Sequence, residues 1–596
     1  MSDTKKPEYR EDDSWFSDAQ LDRLAPTDHA DQVHSPIPTQ MVSNGEYMPI
    51  GQTDKQKEVE ARLAALSAQA AKKLGMSRRK FLTTSGGFAA SFIAMNQVFG
   101  EFFDVRAIDM LVPQAYAQGA PQGVFVFDDQ THIIRSSRVG PGNALRDIAQ
   151  GVQNGFNPSG LADELGRVNF PWNPALVGLP NLNSNFHLAQ YMKDVYLDSQ
   201  VQVAIMTNNN SAAIPGAGGS RPPRSVEESE RFEILTAEQT MATRDWVNQL
   251  AGSKRMLGHG QLYTGVGNLW FIEEQIEHLK PDSWKGYNIA TAAKLDDDPN
   301  SDMVRWTLDD PVVAYPTYAK IDEYARKDNG AILKKYPGFR NLSIHKGLST
   351  NGGPDPRLGY PSDIPKAARD WPQFNFIIYH SCIRPAFWVL NALNDVRSGV
   401  TREGVPDILW TTEMAVLAAP YPNVYAEIGT TFASTVITFP AVCAHILGQL
   451  LKFMGEDRIV FGSDAVWYGS PQWQIEALWR FQIPEEMCRR YGYPRLTPQI
   501  KRKILGLNSA RLYGLQPPHN TVSPAVYKPV PEDYADRITL ELKQILEDPS
   551  VPPRASAPAS PFAHYEGDGL AKIKQAYTEA GGTRSNTRYG WLRTRT

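Results

Sequence analysis

Six residues able to hold a proton or a metal ion stand toward the polar ends of six different apolar runs. They are His132, His259, His345, His380, Glu427 and Asp464. The runs are VFVFDDQTH (124–132), MLGHGQLYTGV (256–266), NLSIHKGL (341–348), FNFIIYHSC (374–382), NVYAEIGTT (423–431) and RIVFGSDAVW (458–467). Imidazoles and carboxylates together offer two kinds of chemistry. As ligands they hold a divalent ion, which turns bound water into hydroxide near neutral pH. As free groups they pass protons to and from a substrate. A lone histidine at a strand end is more often a structural residue satisfied by its neighbours. The set carries the chemical reading, not any single member.

These residues need elements to hold them. Two further runs, VQVAIMTNN (201–209) and WKGYNIAT (284–291), bring the strand-like segments to eight. Helical patterns at 182–197, 226–250, 311–328, 386–396 and 442–455 lie between most of them. Regular alternation of this kind predicts an α/β fold, a (β/α)8 TIM-type barrel, in preference to an open doubly wound sheet. In such a barrel the active site forms at the C-terminal ends of the strands. That is the end where the six residues fall. Arg384, just after His380, has a fork that suits a substrate carboxylate, and it reads equally well as a surface residue. Trp270, Trp388 and Trp467 serve either an aromatic pocket or the core. Two long loops follow strand ends. One, 208–225, carries Arg221 and Arg224; the other, 292–311, carries Asp296, Asp297 and Asp298. Each reads as a cap over the barrel mouth or as a solvated loop.

The chain has 596 residues, with 42% hydrophobic and 21% charged, so it is neither wholly disordered nor fibrous. A net charge of −4 gives no support to nucleic-acid binding. Three cysteines, Cys382, Cys443 and Cys488, make no disulfide framework. Four parts are expected. Residues 1–75 form a polar extension, largely disordered except for a helix over 57–75 with Val59, Leu63, Leu66 and Leu74 on one face. Residues 76–117 follow, then a barrel over 118–514 and a tail over 515–596. The tail has helical pieces at 532–547 and 568–579 around a Pro/Ala/Ser linker (551–561), and is expected to wrap the barrel or a neighbouring subunit. In the second part, Arg78-Arg79 precedes Phe81-Leu82, then the apolar GGFAASFIAM (86–95), then Ala115-Tyr116-Ala117. That order resembles a twin-arginine export signal. It implies the twin-arginine export machinery as a partner, a periplasmic or otherwise exported protein, and a mature chain starting near Gln118. Met76 is then a candidate true start. The competing reading of 86–95 is a buried core helix.

The series Asp128-x-x-x-His132, Ile344-His345, Tyr379-His380, Glu427-Ile428-Gly429 and Phe461-Gly462-Ser463-Asp464 resembles the amidohydrolase superfamily. It is most similar to the branch of aminocarboxymuconate-semialdehyde and resorcylate decarboxylases, over residues 123–514, and Ile504–Tyr513 resembles that branch's terminal helix. The resemblance implies one divalent metal, zinc first and manganese second, held by His132, His345 and Asp464. Gln130 stands where the family keeps a first histidine, and its carbonyl is a weaker ligand than imidazole. The resemblance implies an acid/base or substrate-polarising role for His380, and makes Asp464 an acceptor of a proton from water. His259, Arg384 and Glu427 are substrate-side candidates, Glu427 also as a group that orients a ligand. Lys285 matches a lysine that some relatives carboxylate between two metals, a site made poorer by the loss of the first histidine.

The expected function is an exported metal-dependent hydrolase, with metal-activated water attacking a carbonyl-like carbon. One alternative is non-oxidative decarboxylation of an aromatic acid on the same site. The other is a metal-free barrel acting as a binding protein, motivated by Gln130. The partner is a small-molecule substrate, aromatic in the decarboxylase reading, and the branch allows a homodimer.

Overall fold

A computed structural model describes residues 24–26, 35–44, 47, 49–119, 123–133, 188–208, 210, 223–233, 235–288, 306–347, 356–384, 388–517, 534–548, 568–582 and 592–594. Arg221, Asp296, Asp297, Asp298 and the 551–561 linker lie outside them. Eight parallel strands form one sheet in sequential order. They are β1 (Phe127–Thr131), β2 (Val203–Met206), β3 (Met256–Leu262), β4 (Ser283–Tyr287), β5 (Asn341–His345), β6 (Asn375–Tyr379), β7 (Val424–Glu427) and β8 (Ile459–Val460). Each coincides with one of the eight apolar runs. The last seam closes when Asp129 N–H donates to Phe461 O (2.9 Å) and Asp464 N–H to Gln130 O (3.0 Å). The sheet is thus a nearly closed TIM barrel. Its interior is filled by Phe127, Val203, Ile205, Leu257, Ile377, Tyr379 and Val460. It is a packed core whose usable space is at the rim.

The amino-terminal region departs from the expected polar extension. Residues 35–50, read from composition as largely disordered, bury Ile37, Met41, Val42, Asn44 and Tyr47. Apolar residues without a period are buried here because the rest of the chain supplies the partner surface. Helix α1 (Asp54–Lys73) starts at a capping box formed by Thr53 and Gln56. It buries Val59, Leu63 and Leu66 as the periodicity predicts, with Leu74 half-buried at its end. Helix α2 (Arg78–Leu82) holds the arginine pair. The apolar stretch lies in helix α3 (Ser85–Phe99), buried continuously from Gly86 to Asn96. That is the packing of a core helix. Gly86 permits the fit: a Cβ there would meet Met110 O at 2.4 Å. No helix among the described residues is long and apolar enough to cross a membrane.

The segment after α3 is laced to helix α4 (Gln472–Arg480), which follows β8. Asp104 N–H donates to Arg480 O, and Gln482 N–H to Phe102 O, each at 2.8 Å. The buried Arg480 guanidinium reaches Asp109 (3.4 Å), Asp104 O and Tyr116 O (both 3.0 Å), and stacks over the Tyr116 ring. Tyr116 also donates to Glu476 (2.7 Å). The small-x-small triplet at 115–117 is therefore built around a buried cation. Arg480→Ala takes the guanidinium from the Asp104 and Tyr116 carbonyls, while Asp109 keeps its pair with Arg106 (2.8 Å), and is expected to cost about 1–3 kcal/mol for each buried carbonyl that finds no other partner. Calorimetric unfolding checks this; an unchanged melting temperature would show that 100–119 does not stabilise the barrel.

The described parts of the tail pack against the rest of the chain. Helix Gly569–Glu579 is fixed by Asp568, which pairs with Arg255 (2.8 Å) and accepts from Ser253 (2.7 Å). Helix Tyr534–Glu547 receives Lys73 of α1 on its last carbonyls. Leu24–Pro26 pairs antiparallel with Leu592–Thr594, so the two ends of the chain meet.

Candidate active site

β1 and the loop after β8 bring Gln130, His132 and Asp464 together. Residues 130 and 132 share a face by strand alternation. His132 Nε2 lies 3.2 Å from Asp464 Oδ1, and Gln130 Nε2 donates to the same oxygen at 3.0 Å. Gln130 Nε2 is also 3.4 Å from His132 Nε2. The other oxygen, Oδ2, accepts from Thr430 Oγ1 (3.1 Å) and from Asn44 Nδ2 (2.6 Å). Asn44 comes from the amino-terminal segment, so the rim is completed from outside the barrel. Trp467 stands beside the His132 ring at 5.9 Å.

A second group gathers around β5, β6 and β7. His345 ends β5, His380 follows β6, and Glu427 ends β7. The His345 and His380 rings are 4.6 Å apart, edge to face, and His345 stacks on Tyr287 at 5.0 Å. Glu427 Oε2 accepts from His380 N–H (2.9 Å) and lies 4.0 Å from His380 Nδ1. Glu427 Oε1 accepts from Gly429 N–H (2.5 Å). Two glycines make room: a Cβ on Gly429 or Gly462 would meet Glu427 Oε1 at 2.6 or 2.4 Å. Burial pushes the Glu427 carboxyl up to about 8, against the two backbone donors that favour its charge. The carboxyl is then largely protonated at neutral pH. Burial also drives His380 well below the usual histidine range, helped by His345 and Lys285, so its ring is neutral.

His380 and Asp464 both take positive φ, 58° and 57°. A non-glycine residue held there costs about 1–3 kcal/mol, and such positions gather at functional sites. Thr431 Oγ1 fixes the His380 carbonyl (2.5 Å), and the Trp467 and Tyr468 N–H groups fix that of Asp464 (3.0 and 3.3 Å).

Other candidates fall elsewhere. His259 sits inside β3, with Nδ1 on Ser283 Oγ (2.8 Å) and Nε2 on Tyr379 OH (3.2 Å). Both ring nitrogens are taken by the protein, so it ties strands rather than contacting substrate. Arg384 is paired with Asp395 at 2.5 Å, which occupies the fork offered to a substrate carboxylate. Lys285 is fully buried, its Nζ 3.4 Å from the centre of the Tyr379 ring. Asp128 binds Ser463 through its backbone N–H and its hydroxyl (2.8 and 2.5 Å), locking β1 to the loop that carries Asp464. Trp270 packs on Phe271 at 5.2 Å, beside Tyr263. The Trp388 side chain and Arg221 are outside the described residues. Arg224 takes part through its backbone, donating to Glu228 at the start of the next helix. Cys382, Cys443 and Cys488 are buried thiols. Asn44 and Thr430 are missed by sequence reasoning, since Ser43-Asn44-Gly45 reads as an ordinary turn and threonine carries no site signal.

The resemblance to amidohydrolases implies a divalent ion, and His132 and Asp464 at the rim fit one. Two donors at 2.0–2.2 Å from a shared ion stand about as far apart as His132 Nε2 and Asp464 Oδ1, at 3.2 Å. Gln130 Oε1 is buried with no hydrogen-bond partner among the described residues. No three His, Cys, Asp or Glu side chains gather in one candidate sphere among those residues. The Gln130 amide oxygen becomes a third donor only when that amide turns over, since its Nε2 now faces Asp464 Oδ1 and His132 Nε2.

The chain is similar to several solved structures at low identity. An uncharacterised TIM-barrel protein of Bordetella bronchiseptica is 14% identical, over 65% of this chain and 98% of its own, with a TM-score of 0.35. The 2,6-dihydroxybenzoate decarboxylase of Rhizobium is 12% identical, over 66% and 99%, with a TM-score of 0.31. A manganese-bound 5-carboxyvanillate decarboxylase of Novosphingobium aromaticivorans is 12% identical, over 66% and 98%, with a TM-score of 0.35. No curated protein matches the chain. The segment that carries His345, His380, Glu427 and Asp464 does match a family: residues 342–515, from β5 to the terminal helix, align with the amidohydrolases.

Proposed function

We propose that the barrel mouth is the active site of a metal-dependent lyase of the amidohydrolase type, which decarboxylates a small aromatic acid without oxidation. The observation that carries this over hydrolysis is the state of Asp464. A hydrolase of the expected kind needs this carboxylate to take a proton from water. Its Oδ2 already accepts Asn44 and Thr430, and its Oδ1 faces His132 and Gln130. It is fixed in place by its neighbours, in the manner of a side chain that holds an ion rather than one that meets a water. The amidohydrolase match and the TIM barrel support both chemistries, and the saturation of Asp464 favours the lyase.

His132 and Asp464 would hold the ion, joined by the Gln130 amide oxygen once that amide turns over. When bound, the ion supplies Lewis-acid charge that polarises an acidic substrate. The chain's own residues supply the proton. The bond from ring carbon to carboxylate carbon breaks, its electron pair stays on the ring carbon, and carbon dioxide leaves. Glu427 gives up its proton by way of the neutral His380 ring to form the new C–H bond, and water restores it. His380 links Glu427 to His345, which places the relay at the rim.

The test supplies the manganese-loaded protein with 2,6-dihydroxybenzoate and 5-carboxyvanillate, and separately with esters, lactones and amides. Carbon dioxide release from an acid is expected. Hydrolysis without it would overturn the lyase, and neither activity would leave a binding barrel. His380→Ala is expected to slow release about 100-fold or more while manganese stays bound. Loss of the metal in that variant would make His380 a ligand.

A further inference from the structure

We infer that the amino-terminal segment around Asn44 is a permanent wall of the active site, and that Asn44 is a positioning residue for Asp464. This rests on the mouth being the metal centre proposed above. Asn44 is 1% exposed, and its amide donates to Asp464 Oδ2 (2.6 Å) and to Thr430 Oγ1 (3.3 Å). The contact spans 420 positions of sequence. A second tie lies beside it. Tyr47 is fully buried, donates to Val42 O (2.6 Å), and accepts from Tyr468 OH (2.8 Å), four residues past Asp464. Ser43 Oγ closes the turn on Tyr47 O (2.6 Å). Gln56, at the start of α1, reaches Ile437 O (3.3 Å) after β7.

The consequence is chemical. Asp464 has two oxygens and one useful orientation. Asn44 and Thr430 engage Oδ2, which leaves Oδ1 turned toward His132. Partners that orient a ligand in this way typically set metal affinity by one to two powers of ten. No barrel strand or barrel loop supplies the Asn44 amide. A chain cut near Gln118 would lose it, together with the helices α1–α3 that brace the segment. Residues 35–117 are therefore retained in the working protein, whatever compartment it works in.

Manganese titration of the full-length protein tests this by calorimetry, with no substrate present. Asn44→Ala is expected to weaken manganese binding about 10- to 100-fold. Thr39→Ala, in the same segment but bonded outward to Glu60, is expected to bind as wild type. Wild-type affinity in Asn44→Ala, or equal weakening in Thr39→Ala, would overturn the assignment. Asp464→Ala separates the two claims. If it binds manganese normally, or if the wild type binds none, the metal-site reading fails first. If Asp464→Ala loses the metal and Asn44→Ala keeps it, only the role of Asn44 fails. Intact mass of the protein from its native cells gives a measure that needs no variant to fold. Residues 35–117 are expected to be present, and a chain starting near 118 would overturn retention.

Discussion

Asp464→Ala is expected to remove both the bound metal and turnover, and to lower thermal stability at the same time. The carboxylate is the meeting point of Asn44, Thr430, Gln130 and His132. Alanine takes an acceptor from three buried donors, of which the Asn44 amide keeps Thr430 Oγ1, at about 1–3 kcal/mol for each that finds no other partner. The strained φ of 57° at this position remains while the contacts that offset it go. Asp464→Asn isolates the charge. It keeps the volume and one acceptor oxygen, so stability falls less, while the neutral amide is a poor ligand for a hard divalent ion. Elemental analysis beside differential scanning calorimetry checks both variants. A full equivalent of manganese in Asp464→Ala would remove this residue from the ligand set and with it the geometry of the proposed site.

The barrel was legible because its signal is local and repeated. Each apolar run reports its own burial, and the polar residue that ends it reports which end of the barrel is open. His345, His380, Glu427 and Asp464 sit where that rule puts them. His259 reads the same way and is different, because only the structure reveals that Ser283 and Tyr379 already satisfy both its nitrogens. The ligand set divides for a similar reason: spacing shows that His132 and His345 end different strands, but not that His345 packs on Tyr287 and His380. The amino-terminal region is the larger departure. Residues 35–50 carry apolar side chains without a helical or strand period, broken by Pro36, Pro38, Gly45 and Pro49, so local pattern alone leaves them unstructured. Their burial depends on surfaces supplied by residues four hundred positions later. The apolar 86–95 stretch has the composition of an export signal and of a core helix alike, and only the Phe103–Phe481 pairing and the buried Arg480 distinguish how it packs.

Glu427→Gln is expected to lower decarboxylation about 100-fold or more, the usual worth of a positioned proton donor, with manganese still bound. The pH profile carries the sharper test. The folded carboxyl is raised to about 8, so its proton-bearing form dominates below that pH and is lost above it. Activity of the wild type should therefore hold through neutrality and fall as pH rises through about 8. Glutamine cannot release a proton, so the variant's small remaining rate should lack that limb. A stability effect is expected too, and it is separable. The two carboxyl oxygens accept His380 N–H and Gly429 N–H. Glutamine turns its NH2 against one of these donors, at about 1–3 kcal/mol. That penalty lowers the melting temperature without bending the pH profile of the folded enzyme. If the alkaline limb survives in Glu427→Gln, another group supplies the proton, and the relay through His380 is wrong even where the lyase is right.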